Sequence, residues 1–459
     1  MQRKILILYY SSHTVCGIGT WLELLAPELE ANGWEVTIGL AWGREFHDPA
    51  KIEACRPGFR TVWMDGRTGT EEGRVLAICR AIKQVDPEIV ILNCLDSAFE
   101  AIQRVRNEGR DLRLVVTNHG NFSHQAAALL SHRDEIDLAV CIGRQSMAVM
   151  GMPPWGFDAE RLVHLPNAVQ GTANENESHG SALRVGFAGR LDSEGRKRVR
   201  DTIPFFQRLH ELSPSAELWI AGDGNISHEI KEFANQFPEH VRCFGRLSRE
   251  QLYRDFFPHL DVFVNFSSNE AFCLSIAEAM AHGVVPVTSE FFGLHDEGLV
   301  LPKVNALTFP VGDVEQAAIL VAGLLNDSVE RERMGDNARR HINENFSPHA
   351  SGLRWSKALE ECWARPSITS GTSFQTPRRR GKFGIPESWL ERYRRLRHRY
   401  FPHQSGGEEW PHYRCRNSDL LENVSNAMGI SIAPDAIPHF PQLPSTSVEN
   451  AHLDQKSHQ

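Results

Sequence analysis

Two successive runs of strand–helix alternation constrain this chain more than any other feature. In the first run, short apolar segments lie at Lys4–Tyr9, Trp34–Leu40, Ile89–Asn93, Leu112–Thr117 and Leu138–Ile142. Amphipathic patterns such as Gly19–Asn32 and Val75–Val85 separate them. Strands spaced by helices predict a parallel, doubly wound sheet. The second run begins at Leu183. Its strands are expected at Leu183–Ala188, Ala216–Ala221, Val241–Phe244, Asp261–Asn265, Val284–Thr288 and Ala306–Phe309. Helices at Asp201–Leu212, Ile226–Gln236, Ala271–His282, Val314–Leu325 and Val329–Phe346 fill the gaps. The chain therefore reads as α/β, with Rossmann-like domains at 1–169 and 183–349 and a polar linker at 170–182. A further helix at about 350–365 would return to the first domain. Two such domains leave a cleft between the carboxyl ends of their strands, the usual ligand site in open α/β sheets.

Composition narrows the class. A chain of 459 residues is too long for one core. Its apolar runs, such as Lys4–Tyr10, are of strand length and too short to span a membrane. No signal-peptide pattern opens the sequence. Nine cysteines without C-x-x-C spacing predict a reduced, cytoplasmic chain with no zinc site or disulfide frame. The net charge of −9 argues against a nucleic-acid partner.

The richest segment runs from Asn269 to Val287 (NEAFCLSIAEAMAHGVVPV). It reads as an acidic loop, a helix, a tight turn and a strand. Glu270 enters the helix, and Glu278 lies two turns on, partly toward the same side. Backbone N–H groups of Phe272, Cys273, Leu274 and Ser275 would leave the helix N-terminus and suit a phosphate. Two glutamates on a helix usually make a solvated face. Here Ala277, Ala279, Met280 and Ala281 make the helix tightly packed and otherwise uncharged, so a glutamate inside it calls for a partner.

Glu270–Val287 resembles the E-x7-E signature of family 4 of the retaining glycosyltransferases, which have the GT-B fold. Cys273 stands where that pattern commonly has glycine, and an extra valine precedes Pro286. The resemblance covers roughly residues 3 to 365. It implies that Glu278 clamps the ribose hydroxyls and that Glu270 holds hydroxyls of the donor sugar. It assigns Arg190 and Lys197, in Phe187–Arg198 (FAGRLDSEGRKR), to the donor diphosphate. Charge there must be neutralised as the glycosidic bond breaks. Arg196 or Arg198 could be the cation that reaches in place of Lys197. Gly189, at the strand end, would keep a side chain out of the ligand's way. Gly222, in the turn Gly222–Gly224, and Gly245 with Arg246 would approach the nucleotide, while 307–313 is a structural turn.

In the first domain the resemblance places Gly17, Ile18 and Gly19 against the donor phosphate and the acceptor. It gives His119, in Thr117–Asn121 (TNHGN), a contact with the donor sugar, and Asp96 is a candidate on the acceptor side. A glycine-rich turn is as often mere packing, and a lone histidine is often an ordinary surface residue. The implied reaction moves a hexose-type sugar, with retention, from a UDP- or GDP-linked donor to a glycan or lipid-linked acceptor. A role in cell-surface polysaccharide or glycoconjugate assembly would follow. No metal or other cofactor is required, and no D-x-D motif stands in the matching position. An inactive GT-B-like assembly subunit is the competing reading. Epimerases and phosphorylases of this fold lack the Glu270–Glu278 spacing.

Beyond Pro366 the composition changes, and 366–459 reads as a basic, amphipathic and largely disordered tail. Residues 378–399 carry nine Lys/Arg against Glu387 and Glu391, a net +7. Trp389, Tyr393, Leu396 and Tyr400 recur at helical spacing. That stripe could dock on an anionic membrane surface through 378–401, or it could pack on the chain's own acidic body or another subunit.

Overall fold

The computed structural model describes residues 2–10, 17–171, 183–193, 195–368, 384–398, 400–401 and 409–429. Two wholly parallel sheets organise it. The first has seven strands: β1 (Arg3–Tyr9), β2 (Trp34–Trp42), β3 (Thr61–Asp65), β4 (Ile89–Leu92), β5 (Arg113–Asn118), β6 (Leu138–Cys141) and β7 (Leu162–His164). Their order is β3-β2-β1-β4-β5-β6-β7. The second has six: β8 (Leu183–Ala188), β9 (Ala216–Ala221), β10 (Val241–Gly245), β11 (Val262–Asn265), β12 (Val285–Ser289) and β13 (Leu307–Phe309), in the order β10-β9-β8-β11-β12-β13. This is the α/β, GT-B architecture of two Rossmann-like domains. In each sheet the strand order reverses beside the first strand, between β1 and β4 and between β8 and β11. Such switch points open a crevice at the carboxyl ends.

Central strands are buried on both faces, as a sheet covered by helices requires. Ile5, Leu6, Ile7 and Leu8 of β1 are fully buried, as are Ile89–Leu92 of β4. All six strands of the second sheet stand where the sequence predicts them. The expected linker lies mostly outside the described residues, at 172–182. The helix Pro348–Ala364 comes back to pack on Gly17–Ala31, where Trp355 is fully buried with its ring 5.5 Å from that of Trp21.

Beyond Pro366, residues 369–383, 399, 402–408 and 430–459 of the expected tail lie outside the described residues. The described part departs from a disordered tail. The helix Glu387–His398 rests on Glu71–Val85 through Glu391, which is buried and accepts a 2.7 Å hydrogen bond from the Thr70 hydroxyl. Its aromatic stripe faces away from the body: Trp389, Tyr393, Leu396 and Tyr400 are 62–71% exposed. The stripe therefore does not pack on the chain's own surface. Farther on, Trp410 and Tyr413 join the core of the first domain, and a last helix, Ser418–Ala427, packs on Ser123–Ser131. Among the described residues, no helix is long and apolar enough to cross a membrane.

Candidate active site

The signature helix is shorter than expected, Leu274–Ala281. Cys273 has φ +44°, a left-handed conformation that a helix cannot continue through. Glu270–Cys273 is therefore a loop, and the free N–H groups begin at Leu274 rather than Phe272. Phe272 turns inward, with its ring 5.3 Å from that of Phe346. The loop instead aims the carboxylate of Glu270. The Ser267 hydroxyl shares its one hydrogen between Asn265 Oδ1 at 3.0 Å, at the end of β11, and Glu270 Oε1 at 2.9 Å. Lys197 Nζ lies 2.5 Å from the same oxygen. Burial opposes the charge on Lys197, but Glu270 outweighs it and raises the ammonium pKa.

The three consecutive cations separate by direction. Lys197 meets Glu270. Arg198 turns back to Asp201 at 2.7 Å. Arg196 crosses to the first domain, its guanidinium 4.3 Å from the ring centre of Phe122. Arg190 does not join them: its side chain is 69% exposed and pairs with Asp192 at 3.2 Å.

Glu278 follows on the buried side of the helix. Burial pushes its carboxyl pKa up to about 7, against the pull of Arg249 and of Tyr253, whose hydroxyl donates to Oε1 at 3.4 Å. A buried carboxyl with one long hydrogen bond has lone pairs left to accept more. Neither Arg249 nor Tyr253 is marked in the sequence, since both lie in the short helical stretch before β11.

The edge of the second domain is shaped by backbone. A Cβ at Gly222 would lie 1.9 Å from the Gly189 carbonyl oxygen, so that turn must be glycine for internal packing. Gly245 has φ +68° with open space where its side chain would be. Around them a pocket opens, lined by Gly222, Asp223, Lys231, Gly245 and Arg246 among others. At Gly189 a Cβ would touch only the Phe187 ring at 3.9 Å, so space on the cleft side is open.

The facing wall comes from the first domain. Gly17, Ile18 and Gly19 are not a loop but the first turn of the helix Gly17–Ala31. A Cβ on Gly17 would sit 3.4 Å from Leu274, so two helix N-termini approach each other across the cleft. His119 is held by Asn93, whose Oδ1 lies 2.8 Å from Nε2. Asn93 spends its amide hydrogen on the Leu8 carbonyl, so its oxygen faces the imidazole and Nε2 carries the proton. Burial depresses the His119 pKa to about 3, which leaves the ring neutral. Asp96 is occupied elsewhere: its backbone N–H donates to the Pro411 carbonyl, and Arg416 lies 3.6 Å from its carboxylate.

Several contacts tie the walls together. Asn121 Nδ2 donates to the Glu270 carbonyl at 3.0 Å. Glu297, buried, takes the Arg144 N–H at 2.6 Å and meets His164 at 2.8 Å. Glu23 of the first domain pairs with Arg249 at 2.9 Å. Among the described residues, no set of three His, Cys, Asp or Glu side chains converges as metal ligands.

Comparison with known proteins agrees with this architecture. Residues 182–327 match the model of the glycosyl transferases group 1 family. A GDP-mannose-dependent alpha-mannosyltransferase of Mycobacterium tuberculosis is 30% identical over 206 residues, 43% of this chain and 49% of that protein. Its counterpart in Mycolicibacterium smegmatis is 30% identical over 190 residues, 41% and 46% of the two chains. The chain thus spans about half the length of the curated relatives it matches. Among solved structures, sucrose-phosphate synthase of Thermosynechococcus elongatus superimposes with a TM-score of 0.65 at 17% identity, over 79% of this chain and 99% of that one. The pneumococcal O-GlcNAc transferase GtfA with UDP and GlcNAc gives 0.64 at 12% identity, over 79% and 100%.

Proposed function

We propose that this chain, which matches the glycosyl transferases group 1 family over residues 182–327 and has a GT-B fold, is a retaining glycosyltransferase that uses a nucleotide-diphosphate sugar. The observation that carries the reading is that Lys197 meets Glu270 beside the Leu274 helix N-terminus, with Gly17 and Asn121 of the first domain facing them. In this reading the diphosphate lies between the two helix N-termini, and Lys197 neutralises charge as the bond to the sugar breaks. Arg190 adds a second cation by swinging away from Asp192. Glu278 accepts the vicinal ribose hydroxyls, and the base lies over the pocket at Gly245 and Arg246. Glu270 orients hydroxyls of the sugar. The neutral His119, its Nε2 proton spent on Asn93, offers the lone pair of Nδ1 but no charge. The departing diphosphate takes the proton from the incoming hydroxyl on the same face, which yields retention.

GDP-mannose is the first donor to test, because the curated relatives are named for it. The acceptor is a hydroxyl of a glycan or lipid-linked saccharide. Peripheral contact with the inner face of a membrane, through the outward stripe Trp389, Tyr393, Leu396 and Tyr400 and its neighbouring arginines, would bring the cleft to such an acceptor. Incubation with a panel of UDP-, GDP- and ADP-sugars, with Glu270→Ala as control, tests the reaction through nucleotide release. Binding without turnover of any donor, even with crude glycan or glycolipid acceptors, would favour an inactive assembly subunit.

A further inference from the structure

The segment Glu409–Tyr413 crosses the carboxyl ends of β3, β2, β1 and β4, the face of the first sheet that looks into the cleft. Trp410 is 1% exposed and sits against Gly66, just past β3. Glu409 fills a cradle of backbone N–H groups after β2. Its carboxylate accepts from Arg44, from Glu45 at 2.8 Å, from Phe46 at 3.0 Å and from His47 at 3.3 Å. The His47 ring adds a contact at 3.1 Å. At the end of β4, the Pro411 carbonyl accepts from the Asp96 N–H at 3.1 Å, and the Tyr413 hydroxyl donates to the Leu92 carbonyl at 2.9 Å.

Between these anchors His412 lies beside the switch point of the sheet. Its ring centre is 5.2 Å from that of Tyr10, which follows β1. It is also near His124, whose pKa is depressed by burial first, then by Arg196 from the opposite domain and by His412.

We propose that Glu409–Tyr413 is the acceptor-side wall of the cleft and that His412 contacts the sugar bearing the acceptor hydroxyl. The inference rests on the glycosyltransferase reading. The switch point between β1 and β4 is where this sheet offers a ligand crevice, and the segment roofs that point. His124 and His412 bring imidazole rings to a sugar, and the buried Tyr10 backs His412. Asp96, the acceptor-side candidate by sequence, instead holds the wall in place.

The wall is tested by transfer to water, which needs no identified acceptor. Nucleotide release from the UDP-, GDP- and ADP-sugar panel is followed in the full chain, in Glu409→Lys and in His412→Ala. A lysine in a cradle of N–H donors releases the wall and admits water to the anomeric carbon. Hydrolysis is expected to rise about tenfold with donor KM unchanged, as for loss of a water-excluding closure. His412→Ala, on a wall still anchored, is expected to raise it about threefold on the same grounds, with Tm unchanged. If Glu409→Lys does not fold, His412→Ala decides. Wild-type hydrolysis with both variants at the wild-type rate overturns the wall alone. No hydrolysis by wild type or either variant, and no transfer to crude glycan or glycolipid acceptors, defeats the glycosyltransferase reading and the wall with it, whereas transfer to such acceptors with no rise of hydrolysis in either variant overturns the wall alone.

Discussion

Glu278→Gln separates binding from stability in opposite directions. Burial holds the Glu278 carboxyl near 7 against an ordinary value of 4.5. Below the lower value, the folded and unfolded chains are both protonated there and the group contributes nothing to pH-dependent stability. As pH rises toward 7, the unfolded chain releases its proton before the folded chain does, and stability falls. The full penalty above pH 7 is about 3 kcal/mol. Glutamine removes it but leaves a buried amide with too few partners, at a cost of about 1 kcal/mol. The ligand-free variant should therefore gain roughly 4–8 °C in Tm at pH 8, and little at pH 5. In the proposed function the ribose hydroxyls need this carboxylate, so wild-type affinity for GDP or UDP should weaken about tenfold from pH 8 to pH 6. In the variant that pH dependence should vanish along with most of the affinity. Differential scanning fluorimetry at pH 5, 6 and 8, with and without each nucleotide, reads all of this. A variant that melts below wild type at pH 8 and keeps its nucleotide-induced shift would refute the reasoning.

Other perturbations address the rest of the cleft. Glu270→Ala should lower donor turnover by about 10²-fold or more while leaving the GDP- or UDP-induced Tm shift intact; loss of that shift would mean that Glu270 serves the nucleotide instead. Lys197→Met should cost a similar factor of about 10² in kcat, whereas Arg198→Met, at a residue paired with Asp201, should change kcat less than threefold. Cys273→Gly should stabilise the chain by about 1 kcal/mol by relieving a left-handed backbone, seen as a rise in Tm. Glu297→Ala removes the buried partner of His164 and the Arg144 N–H; solution scattering should then show a larger radius of gyration, and an unchanged profile would deny that this contact holds the cleft.

The sheets were readable where strands are buried on both faces, because continuous apolar runs mark them. Sequence reasoning missed β3 and β7 for the opposite reason. In β3 only Val62 and Met64 are buried, and Trp63 is 40% exposed, so Thr61–Asp65 lacks an apolar run. In β7 only three residues pair, and just Leu162 is buried. The segment Glu409–Tyr413 escaped for a different reason. Its affinity for the first domain comes from backbone N–H groups after β2 and from one tryptophan, and neither produces a periodic pattern.

At the site, legibility followed how far each role depends on backbone conformation. The pair Glu270 and Glu278 is visible as spacing. Which of Arg196, Lys197 and Arg198 reaches the cleft is not, because adjacent side chains in a loop diverge with local φ and ψ. Arg198 takes φ +47°, and that turn sends it to Asp201 while Lys197 faces Glu270. Cys273 is the converse case. The sequence shows only that a cysteine stands where glycine is common in the resembling family. The structure gives the reason for glycine, a left-handed residue that ends the loop and starts the helix. A residue tolerated there at a cost of about 1 kcal/mol preserves the N–H groups of Leu274 and Ser275 for a ligand. The departure from the pattern therefore falls on stability and leaves the helix end proposed to bind phosphate in place.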